Sequence, residues 1–148
     1  MFEYTDVEQV DLSALEGVVF DHVLLGANED NNDALLWKAS DGRVFELSHS
    51  QDCCESVAIA TIEGDIGNLV GVPILSAAET GCLQDRTEDD SFTITEHTFN
   101  TVNGSVYIRW IGKSNGYYSE YVRLYQYAPS AEYEFYPDEP RFKSRFTA

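Results

Sequence analysis

The chain is predicted to fold as an α+β protein that is predominantly antiparallel β: a single compact domain with a short helix, hairpins and a meander. Three observations predict it. Of the 148 residues 43% are apolar, with nine Tyr and eight Phe, enough for a packed core and far from the composition of disordered chains. Short runs rich in β-branched and aromatic residues alternate apolar with polar positions, and Gly-containing turn dipeptides punctuate them. Only "GDIGNLVGVPIL" has the form of a short helical turn, which Gly71 and Pro73 stop before another strand.

Each element follows from its local pattern. His22–Ala27 and Val57–Ile62 read as strands. In "ALLWKASDGRVFELSH" the dipeptide Asp41-Gly42 lies between two apolar runs, so Ala34–Ser40 and Arg43–His49 are expected to form a hairpin with a two-residue type I′ turn. Asn103-Gly104 and then Lys113–Gly116 divide "SFTITEHTFNTVNGSVYIRWIGKSNGYYSEYVRLYQYA" into an expected three-stranded meander. Its alternation assigns Val106, Ile108, Trp110, Val122 and Leu124 to the core. Residues 80–91, "TGCLQDRTEDDS", read as a charged loop. The expected organisation is a β-rich domain over residues 1–128 and an extended C-terminal arm over 129–148, which holds three of the four prolines.

Charge narrows the function classes. The chain carries 26 acids and 9 bases, a formal net charge of −17. Residues 1–35 hold nine acids and no Lys or Arg, 36–100 hold twelve acids and three bases, and 101–148 hold five acids and six bases. Such a field repels nucleic acid and anionic membranes, whose binding depends on Lys and Arg. It suits a solvated surface, or one that presents carboxylates to a basic groove as a nucleic-acid backbone would. No apolar run reaches the roughly 20 residues of a membrane span, and "MFEYTDVEQV" lacks the basic and apolar regions of a secretory signal. Three cysteines, an odd number, fit a reducing cytoplasm better than a disulfide framework.

Two places concentrate chemistry. "HSQDCCESV" holds His49, Gln51, Asp52, Cys53, Cys54 and Glu55 within nine residues. A thiol or metal site needs converging ligands, and adjacent cysteines entering a strand diverge to opposite faces, which disfavours a shared ion. One cysteine filling a small core space, with His49 and the carboxylates capping a tight turn, is the simpler reading. A turn that contacts a ligand through His49, Gln51, Asp52 and Glu55 is the second. The other place is the C-terminal hairpin, where register is expected to pair Tyr107 near Tyr121. That would bring Arg109 and Arg123 onto one face with Tyr107, Tyr121 and Tyr125, suited to an anion or a planar ring. No cofactor and no metal are expected.

The segments "LSHSQDCCESV", "EGDIGNLVGVPIL" and "YIRWIGKSNGYYSEYV" together resemble a family of small bacteriophage proteins classified as a domain of unknown function. The resemblance spans residues 18–127 and is most specific at His49, at 51–55 and at 114–120, which adds Tyr117, Tyr118 and Glu120 to the candidate ligand-binding residues. It implies viral origin and a compact β-rich fold, and supplies no activity. The expected function is a non-enzymatic phage accessory protein in the host cytoplasm. It would engage a host defence factor through its acidic surface, or sequester a small nucleotide-like anion. The alternatives are a thiol- or metal-dependent enzyme using His49, Cys53 and Cys54, and a minor virion component. The expected partners are a host protein or a small anionic ligand, with homo-oligomers open and no direct nucleic-acid or membrane contact.

Overall fold

A computed structural model describes residues 6–146. Two antiparallel sheets pack face to face. The first contains β1 (Val7–Val10), β2 (Phe20–Asn28), β3 (Asp33–Ala39), β4 (Val44–Ser48), β9 (Arg123–Tyr127) and β10 (Phe135–Pro137), in the order β1-β9-β4-β3-β2-β10. The second contains β5 (Ser56–Glu63), β6 (Ser76–Arg86), β7 (Ser91–Thr101) and β8 (Gly104–Ser114), in the order β5-β8-β7-β6. One short helix, α1 (Glu139–Phe146), follows, and 3₁₀ turns occupy Leu12–Leu15 and Ile66–Leu69. The α+β reading therefore narrows to an antiparallel two-sheet fold with one short helix.

Period-two burial explains the strands. Along β7, "SFTITEHTFNT", every second residue is buried, and its inward side chains meet those of the other sheet. Phe20, Trp37, Phe45 and Phe99 form the centre, with ring centroids 5.0 to 6.0 Å apart in tilted or edge-to-face contacts. Leu15, Leu47, Ile59, Ile74, Val106, Ile108 and Trp110 fill in around them. Burying each such side chain is worth about 1.5–3 kcal/mol. Val122 and Leu124 are buried with them, as the alternation requires.

The hairpin around Asp41-Gly42 forms, with Trp37 opposite Phe45 and Lys38 opposite Val44. Its turn differs from the expected two-residue type. Gly42 has φ +95°, Asp41 does not join it in the left-handed region, and Ala39 N–H donates to Arg43 O across a three-residue loop. A type I′ turn needs positive φ at both central residues; here Gly alone supplies it, in the manner of a type I turn with a G1 bulge.

Three larger expectations are corrected. The meander stops at two strands: β7 pairs with β8, but β9 leaves for the other sheet and inserts between β1 and β4. Strand β8 has no vacant edge, because β5 occupies the side that a meander would use. Residues 80–86 are strand rather than loop, paired to β7 as far as Arg86↔Ser91. Their charged side chains are those of a solvent-exposed edge, where charge discourages strand addition without weakening the backbone ladder. The expected arm at 129–148 carries, in its described part, β10 and α1. Strand β10 joins the edge of β2, and Phe142 enters the core, 2% exposed. Gly26 permits this: a Cβ there would lie 2.2 Å from Tyr136 O.

Candidate functional site

His49 directly follows β4 and Glu55 directly precedes β5, so the residues between them bridge the two sheets. Both side chains are buried. His49 Nε2 lies 2.8 Å from Glu55 Oε2, and His49 Nδ1 lies 2.7 Å from Tyr121 O. A carbonyl and a carboxylate are both acceptors, so each ring nitrogen meets its partner through a proton. Glu55 also accepts the backbone N–H groups of Asp52 (2.9 Å) and Cys53 (2.8 Å) and the Gln51 amide (3.2 Å). That amide donates in turn to Glu55 O at 2.7 Å, while Asn32 donates to Gln51 Oε1 at 3.0 Å. The carboxylate thus caps its own turn, in an anion nest of backbone donors.

Electrostatics follow the geometry. Burial alone would raise the Glu55 carboxyl, but the Cys53 N–H, the His49 ring and the Asp52 N–H hold it down to about 2. A carboxyl whose folded value lies below its unfolded 4.5 contributes stability that is full above that value and lost as pH falls toward 2. The melting-temperature advantage of wild type over Glu55→Gln is therefore expected to shrink between about pH 4.5 and pH 2, as acid titration followed by circular dichroism would show. A constant advantage across that range would contradict the assignment.

The cysteines depart from expectation twice. Cys53 and Cys54 sit in a bend before β5, where strand alternation does not operate, and they are joined by a disulfide rather than diverging. Neither fills a core space, since both are exposed, and the exposed Cys82 is the free cysteine. Among the described residues no three His, Cys, Asp or Glu side chains converge as a metal set.

Arg109 and Arg123 share no face. Arg109 lies on β8, where its Nε donates to Tyr107 Oη at 3.2 Å and Nη2 lies 3.6 Å from Glu96 Oε1. Arg123 lies on β9 in the other sheet, its guanidinium 5.2 Å from the Tyr121 ring centroid. The expected pairing of Tyr107 with Tyr121 gives way to Tyr107↔Thr98 and Tyr107↔Glu63.

Glu120 is buried beneath the loop after β8, where its carboxylate accepts Thr93 Oγ1–H at 2.8 Å and bonds Ser114 Oγ. A Cβ on Gly112 would lie 2.7 Å from Glu120 Cβ, so glycine there admits the carboxylate. Tyr117 is 83% exposed and meets Tyr118 edge to face. Through Tyr121 O, this loop holds the His49 ring, so the two most distinctive sequence motifs meet in space.

A further group was missed in the sequence. Glu46, in the middle of β4, is 5% exposed on the face of the first sheet opposite the core. It accepts Ser48 Oγ–H at 2.6 Å and Tyr127 Oη–H at 3.0 Å, with Asn28 Nδ2 at 3.4 Å. Burial pushes its carboxyl up, against the pull of these donors. It forms the floor of a cleft of about 120 Å³ whose lining includes Glu29, Asp30 and Glu134. The only sequence signal was a carboxylate set in the apolar run "VFELS".

No helix among the described residues is long and apolar enough to cross a membrane. No curated protein and no solved structure matches the chain. The domain of unknown function DUF7448 matches residues 7–124, from β1 into β9 and thus across both motif segments and both sheets, and the chain belongs to that family.

Proposed function

We propose that the protein is a non-enzymatic binding module, a phage accessory protein of the host cytoplasm, that engages a basic group of a host protein through the acidic cleft above Glu46. Glu46 carries the reading. A carboxylate this buried costs several kcal/mol to ionise without a cation, and among the described residues no Lys, Arg or His lies within ion-pair distance of it. Glu29, Asp30 and Glu134 add negative charge at the same cleft. A lysine or arginine side chain from a partner would meet hydrogen-bond acceptors at the floor and screening carboxylates around it.

Binding in preference to catalysis is supported by His49. Both its ring nitrogens are engaged, so it has no vacant nitrogen to act as base for Cys53 or Cys54. An anion held jointly by Arg109 and Arg123 would need a common face, and they lie on different sheets. Phage origin rests on the resemblance carried by residues 49–55 and 114–120.

The test is capture of partners from infected cells by the wild-type chain and by a Glu29→Gln, Asp30→Asn, Glu134→Gln variant, followed by association kinetics on what is captured. The variant is expected to associate about tenfold more slowly at low salt, and wild-type association should slow steeply as screening shortens to about 8 Å. Glu46→Gln should act mainly on dissociation. A partner whose association ignores both salt and the cleft variant would refute the reading.

A further inference from the structure

We propose that the outer face of the four-stranded sheet is a self-association surface that takes a second copy of this chain. Cross-strand register builds a transverse apolar row on that face: Leu83 opposite Ile94, Ile94 opposite Ile111, and Ile111 opposite Ala58. Leu83 is 62% exposed and the other three are half-buried. The next row on one side is Gly81, Glu96, Arg109 and Thr61; on the other it is Asp85, Phe92, Lys113 and Ser56. Two acids and two bases thus flank the apolar row, so these three rows sum to zero formal charge in a chain of −17.

That neutrality selects the occupant. Two chains of −17 repel one another wherever acidic faces meet, and a strongly basic partner is drawn to carboxylates elsewhere on the molecule. The three rows are self-complementary under a two-fold axis running parallel to the strands between β7 and β8. Such an axis lays Ile111 over the second copy's Ile94, Ala58 over its Leu83, and Arg109 over its Glu96. Small faces large in the apolar row, and the Arg109–Glu96 pair within each copy, 3.6 Å apart, becomes a four-charge network. Four strands by about seven residues cover roughly 19 by 24 Å, the footprint of a weak, reversible interface rather than an obligate one. The Glu46 cleft lies on the opposite sheet, so a dimer would leave two clefts facing outward.

Sedimentation equilibrium on the full chain tests this. Wild type is expected to dimerise reversibly, and the dimer should tighten as salt rises, because salt screens the repulsion between two acidic chains. Partner binding at the cleft should weaken under the same change, so failure of either leaves the other legible. Leu83→Asp, at an exposed edge position, should abolish the dimer with the circular dichroism spectrum unchanged. Arg109→Glu should weaken it about tenfold, and Arg109→Glu with Glu96→Arg should restore it, since the exchanged charges again face one another across the axis. A chain that stays monomeric at millimolar concentration and physiological salt overturns the proposal, as does a dimer indifferent to Leu83→Asp and to the charge exchange.

Discussion

Replacing Glu55 by alanine is expected to destabilise the fold by about 3–5 kcal/mol, the cost of breaking a buried ion pair from one side. The size follows from what the carboxylate satisfies. It pairs with His49, accepts two backbone N–H groups and one amide, and is buried together with its partner. Without it, the His49 ring faces an empty acceptor position, and the turn that joins the two sheets loses its cap. For a chain of this size about 2–4 °C of melting temperature accompanies each kcal/mol, so a fall of roughly 10 °C is expected. Glu55→Gln should lose less, since an amide oxygen still accepts from backbone. Chemical denaturation of the three proteins measures the differences; an alanine variant within about 0.5 kcal/mol of wild type, the range of ordinary surface substitutions, would contradict the structural role.

Asp33→Ala is expected to have a comparable effect for a different reason. Asp33 is the first residue of β3, beside the turn from β2, and its buried carboxylate accepts Ile59 N–H at 2.8 Å and meets Arg141 Nη2 at 2.9 Å. One side chain therefore ties the first sheet to β5 of the second and to α1. Removing it should cost about 3–5 kcal/mol. Arg141→Ala is expected to cost about as much, because it takes the guanidinium away from a carboxylate that is 1% exposed, although the contact to β5 survives. Urea midpoints compare the two. Equal and small losses would show that the C-terminal segment and the sheet contact are not coupled through this residue.

The sequence made local structure legible and concealed long-range pairing. The β3–β4 hairpin was readable because its turn and both apolar runs lie within sixteen residues. The destination of β9 was not, because the edge it would have taken on β8 belongs to β5, some fifty residues earlier. Residues 80–86 look like a loop by composition, since an exposed edge strand presents the same charged side chains. In the site, the residue types at 49–55 pointed to a capped turn. The acceptor that fixes the His49 ring, Tyr121 O, could not be found from spacing. Glu46 was obscured for a related reason. A carboxylate in a strand is ordinarily directed at water, and the groups that bury this one, Asn28 and Tyr127, come from segments far away in sequence.

Binding at the cleft over Glu46, which Ser48 and His49 also line, requires that a small cation be taken up there. Amide chemical shifts of the isotopically labelled chain, followed while methylguanidinium is added as a minimal arginine side chain, test this most directly. Saturable shifts are expected at Asn28, Glu29, Asp30, Glu46 and Ser48, and their loss in Glu46→Gln. Shifts scattered over surface carboxylates without saturation, or concentrated at Gln51, Asp52 and Cys53 with the cleft silent, would contradict it.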